Sequence, residues 1–204
     1  MADLLSIARL VRIAVPGCPE PVIADAIIDA AIEFCRETRA ATETVSVVTA
    51  AGVATYALAT SAGTRANRAE RIERGVIPLV KSSRAVFDSA PTLRASGEPT
   101  HYYLDDDSLT LGPVPRAVET VSGLVTVEPV VGATTIPDVL VNDWRRVIAA
   151  GAKAILLATP NVSWQSLPDA ATENTAFLNG IDDAISKRDS GGSGFVPRAS
   201  PTWC

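Results

Sequence analysis

Two spacings of apolar residues alternate along the chain. Val22, Ile23, Ala26, Ile27, Ala30, Ala31 and Phe34 recur every three or four positions, which is one face of a helix over residues 20–38. Pro21 suits the first turn of that helix. A shorter helix is predicted over 3–14 from Leu4, Leu5, Ala8 and Val11, with Asp3 as its cap. The prolines of VPGCPEP end it, because proline cannot continue a helix interior. Helical spacing returns at IPDVLVNDWRRVIAAGAKAILLATP, through Leu140, Trp144, Val147, Ile148, Gly151, Ile155 and Leu156. One helix over 139–159 is expected there, with Gly151 as a point where it can bend. Pro168 opens a last helix over 168–188, with Phe177, Leu178, Ile181 and Ile185 facing inward.

Between residues 41 and 136 the period falls to two. TVSVVTA and ATYALAT flank Ala51-Gly52-Val53 and are expected to form a β-hairpin. GVIPLVKSS and AVFD predict a strand and a turn. THYYL and SLTLG predict two strands joined by Asp105-Asp106-Asp107, since aspartate side chains bond nearby backbone amides in turns. AVETVSGLVTVEPV predicts another long strand. In TRANRAERIERG, Arg65, Arg68, Arg71 and Arg74 fall three apart with Glu70 and Glu73 between them, and the mixed signs predict a solvated or subunit-contacting segment.

The order of elements predicts an α+β fold, a helical bundle of N- and C-terminal helices (1–40 with 137–188) carrying an inserted antiparallel β-rich module (41–136). Residues 189–204, with their Gly/Ser-rich start, predict an extended tail.

Composition changes little in this picture. Hydrophobic residues make up 47% and aromatics 5%, so the core is built from Ala, Val, Ile and Leu. A net charge of −5 argues against a surface that grips nucleic-acid phosphates, but not against one that DNA slides past. Three scattered cysteines and a single histidine form neither a disulfide framework nor a zinc signature, which predicts a reducing compartment. Asp3, Arg9 and Arg12 interrupt the apolar N-terminus, so neither a secretory signal nor a membrane span is expected and synthesis in the cytoplasm is.

Charge pattern matters at one place. Asp25, Asp29, Glu33 and Glu37 fall four apart on the polar side of helix 20–38. Like charges at that spacing disfavour an isolated helix by about 0.2–0.5 kcal/mol per pair. The stripe therefore belongs in water or against a partner surface.

Catalytic candidates are weak. His101 lies inside a strand, the Asp triplet lacks the spaced ligands and closing glutamate of a calcium loop, and Cys35 reads as a small core residue. No Gly-rich phosphate loop, GxSxG or HExxH occurs. No catalytic, cofactor or metal site is expected.

The run GEPTHYYLDDDSLTLGPVPRAVETVSGLVTVEPV resembles the head-to-tail adaptor proteins of tailed bacteriophages. The similarity rests on Gly97, Pro99, Tyr102, Tyr103, Gly112, Pro113 and Pro115, then a proline-led helix, Trp164 with Pro168, and a helix bearing Phe177. It implies a non-enzymatic structural protein of the virion neck that forms a ring, usually twelvefold, beneath the portal. Its implied partners are identical subunits, the portal, tail or nozzle proteins, and packaged DNA passing without sequence-specific contact. Under this resemblance Asp25, Asp29, Glu33 and Glu37 become candidates for the channel wall, and Arg65, Arg68, Arg71 and Arg74 for a contact between subunits. Phe195, Val196, Pro197, Arg198 and Trp203 become candidates for portal docking, the alternative being a tail folded back on its own subunit. Another neck or tail component, such as a tail-tube or tail-terminator protein, and a small cytosolic protein of unseen activity are the competing readings.

Overall fold

A computed structural model describes residues 2–190. In chain order the elements are β1 (Ala2–Asp3), α1 (Leu5–Arg12), α2 (Glu20–Thr38), β2 (Thr42–Val48), β3 (Thr55–Ala57), β4 (Thr64–Arg74), β5 (Ile77–Pro78) and β6 (Val80–Lys81). They continue with α3 (Arg84–Ser89), α4 (Pro91–Arg94), β7 (Ser96–Gly97), β8 (His101–Asp105), β9 (Ser108–Gly112), β10 (Val114–Pro115), β11 (Thr120–Pro129) and β12 (Thr135–Ile136). Three helices follow: α5 (Asp138–Asn142), α6 (Arg145–Ala158) and α7 (Leu167–Asp189). The fold is α+β. Residues 41–137 form one compact unit, and residues 2–40 with 138–190 form another.

In the helical unit α6 packs against α1, α2, α5 and α7. Its Ala- and Gly-rich sequence permits this, because small side chains let several helices approach one axis. A Cβ on Gly151 would lie 2.8 Å from Phe177 Cδ2 and 3.0 Å from Ala30 Cβ. Gly151 is thus a seat for α2 and α7 in an uninterrupted helix, not a bend. The break comes earlier: α5 stops at Asn142, and Trp144 takes φ −121°, ψ 9° ahead of α6. The Trp144 ring lies 5.5 Å from Phe34, and Lys187 Nζ stands 5.3 Å from its centroid.

Phe34 is fully buried and also meets Phe177, with ring centroids 6.5 Å apart. The predicted apolar face of α2 is buried except for Val22, which is exposed; Ile28, Ile32 and Cys35 widen it beyond one stripe. On α7, Phe177 and Ile181 are buried, whereas Leu178 is exposed and Ile185 half-buried. The C-terminus of α2 turns through Arg39 at φ 55°, and the Arg188 guanidinium donates to the Thr38 carbonyl at 3.0 Å. A cation there complements the negative end of the helix dipole.

The β unit holds two four-stranded sheets, ordered β2-β11-β4-β5 and β3-β9-β8-β6. The expected hairpin between β2 and β3 does not form: β2 pairs with β11, and β3 pairs with β9 in the other sheet. Tyr56 organises the loop between them, accepting from the Ala50 amide at 3.0 Å and donating to the Val53 carbonyl at 2.6 Å. AVFD (85–88), expected as a turn, lies within helix α3 behind Ser83, with Phe87 buried.

The arginine-rich segment is a strand, β4, paired to β11 and β5. Its register shifts twice, leaving Glu70 and then Asn67 without a residue opposite on β11. Each bulge adds one residue to the usual alternation. The inward positions Ala66, Ala69 and Ile72 therefore fall three apart, which is why the segment shows no period of two.

Strands β8 and β9 form the hairpin predicted from THYYL and SLTLG, closed by Asp106 at φ 49°. Asp107 does more than turn the chain. Its Oδ1 accepts from the Ala66 amide at 2.6 Å and its carbonyl from the Leu58 amide at 2.7 Å, tying the hairpin to β4 and to the segment after β3.

Candidate functional site

The residues that carry the family resemblance converge on packing, not on chemistry. A Cβ on Gly112 would lie 2.5 Å from Phe87 Cε1 and 2.9 Å from the Leu93 carbonyl, and one on Gly97 would lie 3.0 Å from Pro113. Tyr103 meets Phe87 edge to face at 4.8 Å, and Tyr102 is 2% exposed. Burial pushes the Tyr102 hydroxyl above its ordinary pKa. His101 is half-buried, with Nδ1 2.9 Å from the Thr100 hydroxyl. Among the described residues no group of three or more His, Cys, Asp or Glu is placed to hold a metal ion. No helix among them is long and apolar enough to cross a membrane. Burial raises the Cys18 thiol, while Cys35 is buried inside α2.

The strongest surface feature is on α2. Asp25, Asp29, Glu33 and Glu37 are all exposed, one helical turn apart. Asp29, Glu33 and Glu37 border a shallow groove of about 390 Å³ together with Ile32 and Arg36. Arg36, another exposed residue of α2, offsets part of the negative charge there. Glu33 also stands at the edge of an apolar cleft of about 330 Å³, lined by Ala154, Ile155, Ala170 and Phe177 among others.

The four arginines of β4 have different surroundings. Arg65 pairs at 2.6 Å with Glu128, which is 2% exposed. Arg74, with a side chain 15% exposed, reaches Glu98 at 3.1 Å and Glu119 at 3.3 Å. Arg71 pairs with Glu73 on its own strand, and Arg68 is exposed. Glu98 also takes Arg116 at 2.7 Å. Hydrogen bonds from Arg74 and Arg116, reinforced by their charge, hold the Glu98 carboxyl below its ordinary pKa. Sequence reasoning missed this cluster, since nothing in the spacing of residues 74, 98, 116 and 119 brings them together. Phe195, Val196, Pro197, Arg198 and Trp203 lie outside the described residues.

A chain with a packed motif, an acidic helix face and this α+β architecture fits a structural protein. The chain belongs to the SU10 adaptor protein family, whose model matches residues 2–202. No curated protein matches it significantly. Membership makes it a bacteriophage structural component with a role in joining head to tail, alongside other head and tail proteins.

Proposed function

We propose that copies of this chain assemble as a twelvefold ring beneath the portal, extend the DNA channel, and offer a docking surface to the tail. The helical unit (1–40 with 137–188) forms the body of the ring, the β unit (41–136) points towards tail or nozzle proteins, and residues 189–204 reach the portal through Phe195, Val196, Pro197, Arg198 and Trp203. Asp25, Asp29, Glu33 and Glu37 line the channel, and the exposed Arg68 and Arg71 contribute to the contact between neighbours.

The observation that carries this reading is the acidic face of α2 in a chain of a phage adaptor family. Carboxylates repeated round a channel give a wall to which DNA phosphates do not adhere. Such a face costs the isolated helix stability, and a lubricating wall is a use for which that cost is recovered. The test is to build particles with lysine at all four positions and follow genome release in vitro. Release slows strongly if these side chains face DNA; unchanged release would remove them from the channel.

A further inference from the structure

Between the second half of α6 and the first half of α7 the helical unit leaves an open apolar cleft of about 330 Å³. It exists because the facing side chains are small, Ala154 and Ala158 from α6 and Ala171 from α7. Ile155, 41% exposed, lines it, and Phe177 is the lining residue nearest the C-terminus of α7. Glu33 of α2 and Asn174 of α7, both exposed, are its polar groups. The volume is at the low end of the roughly 300–1,000 Å³ of small-ligand sites, so one large side chain fills it.

We propose that Trp203 of the same chain fills this cleft in the free protein, with Arg198 against the acidic face of α2. Reach selects the side chain. From Asp189, where α7 ends, Phe177 and Ala170 lie about 18 and 28 Å back along the helix. An extended chain spans at most about 3.3–3.6 Å per residue, so Phe195 comes about 20 Å from Asp189 and touches only the near edge. Trp203, at up to about 45–50 Å, crosses the whole cleft with slack for the return. Chemistry selects it too. An indole needs apolar walls for its ring and an acceptor for its N–H, and the cleft offers Ile155 and Phe177 beside the Glu33 carboxylate and the Asn174 amide oxygen.

Charge and tethering favour this segment over an outside occupant. Residues 191–204 contain no Asp, Glu or Lys, and Arg198 is their one basic residue. The segment starts beside α2, where Arg188 donates to the Thr38 carbonyl, and Glu37 and Glu33 are exposed in the last turns of that helix. Arg198, at up to about 30 Å from Asp189, meets these carboxylates while Trp203 reaches the cleft. A linker this short holds Trp203 at an effective concentration on the order of 1 mM, which an untethered protein has to match before it displaces the indole. The contact describes the chain before assembly. It does not rest on the portal docking proposed above, which draws on the same residues and empties the cleft.

The test is tryptic cleavage of the full chain after Arg198, read by mass as loss of residues 199–204. Cleavage should be about tenfold slower in the wild-type chain than in Trp203→Ala, because it tracks the fraction of chains with the tail released. Ile155→Lys with Ala171→Lys, two exposed positions, charges the cleft without altering the tail and should cleave as fast as Trp203→Ala. Equal rates in wild type and Trp203→Ala would overturn the proposal. A nitroxide on Cys204 of a Cys18→Ser chain, Cys35 being buried, then identifies the copy. It should broaden the Ile155 and Ala171 amides of its own chain. Broadening seen only in a second, isotopically labelled chain would overturn the proposal by giving the cleft to another copy's tail.

Discussion

Gly180→Ala tests how closely α6 and α7 approach. A Cβ at residue 180 would stand inside contact distance of both Val147 methyl carbons and 3.0 Å from Val147 Cβ. Alanine is favoured over glycine inside a helix by about 1 kcal/mol, so an unobstructed site would gain stability. Overpacking a filled contact costs about 1–3 kcal/mol, and here the clash falls on a β-branched side chain that has little rotamer freedom. The clash wins. The single variant should lose about 1–2 kcal/mol. In a Val147→Ala background the obstructing methyls are gone, and the same change should become neutral or stabilising by up to about 1 kcal/mol. Urea unfolding followed by Trp fluorescence suits the measurement, because Trp144 packs on Phe34 in this unit. A coupling below about 0.5 kcal/mol, or stabilisation by Gly180→Ala alone, would refute the packing described for α6 and α7.

Gly112→Ala should cost about 1–3 kcal/mol, because its methyl meets the Phe87 ring and the Leu93 carbonyl; denaturant midpoints compare it with wild type. Arg65→Ala removes the cation beside buried Glu128 and should cost about 3 kcal/mol, whereas Arg68→Ala, at an exposed position, should change the same midpoint by under about 0.5 kcal/mol. Glu98 has a folded pKa below its unfolded one, so its ion pairs stabilise the fold above the carboxylate range and cease to as pH falls through the folded pKa. Glu98→Gln should therefore lower the thermal midpoint at neutral pH, with the gap to wild type closing in acid. Neutralising the α2 stripe with Asp25→Asn, Asp29→Asn, Glu33→Gln and Glu37→Gln should raise the thermal midpoint at low salt, by about 0.2–0.5 kcal/mol per relieved pair, and less at high salt.

The helices were legible because each buries one face, and burial imposes its period on Ile23, Ala26, Ile27, Ala30 and Phe34 without reference to the rest of the chain. The acidic stripe was legible for the same reason. Pairing between strands was not. TVSVVTA and ATYALAT look like a hairpin locally, yet β2 and β3 belong to different sheets, and only contacts with β11 and β9 decide that. The bulges opposite β11 disguised β4 by changing its period from two to three. The glycines of the family motif were visible as letters, but their purpose depends on Phe87 and Leu93, which come from helices that the local pattern showed as a turn or not at all. Gly151 and the break at Trp144 likewise depend on neighbours distant in sequence: Ala30, Phe34 and Phe177.

Electron microscopy of the full chain mixed with its portal bears most directly on the adaptor assignment. The account predicts a closed ring under the portal, with the Asp25–Glu37 side of α2 turned to the axis. A portal left bare, or a ring carrying that acidic side on its outer wall, would contradict it.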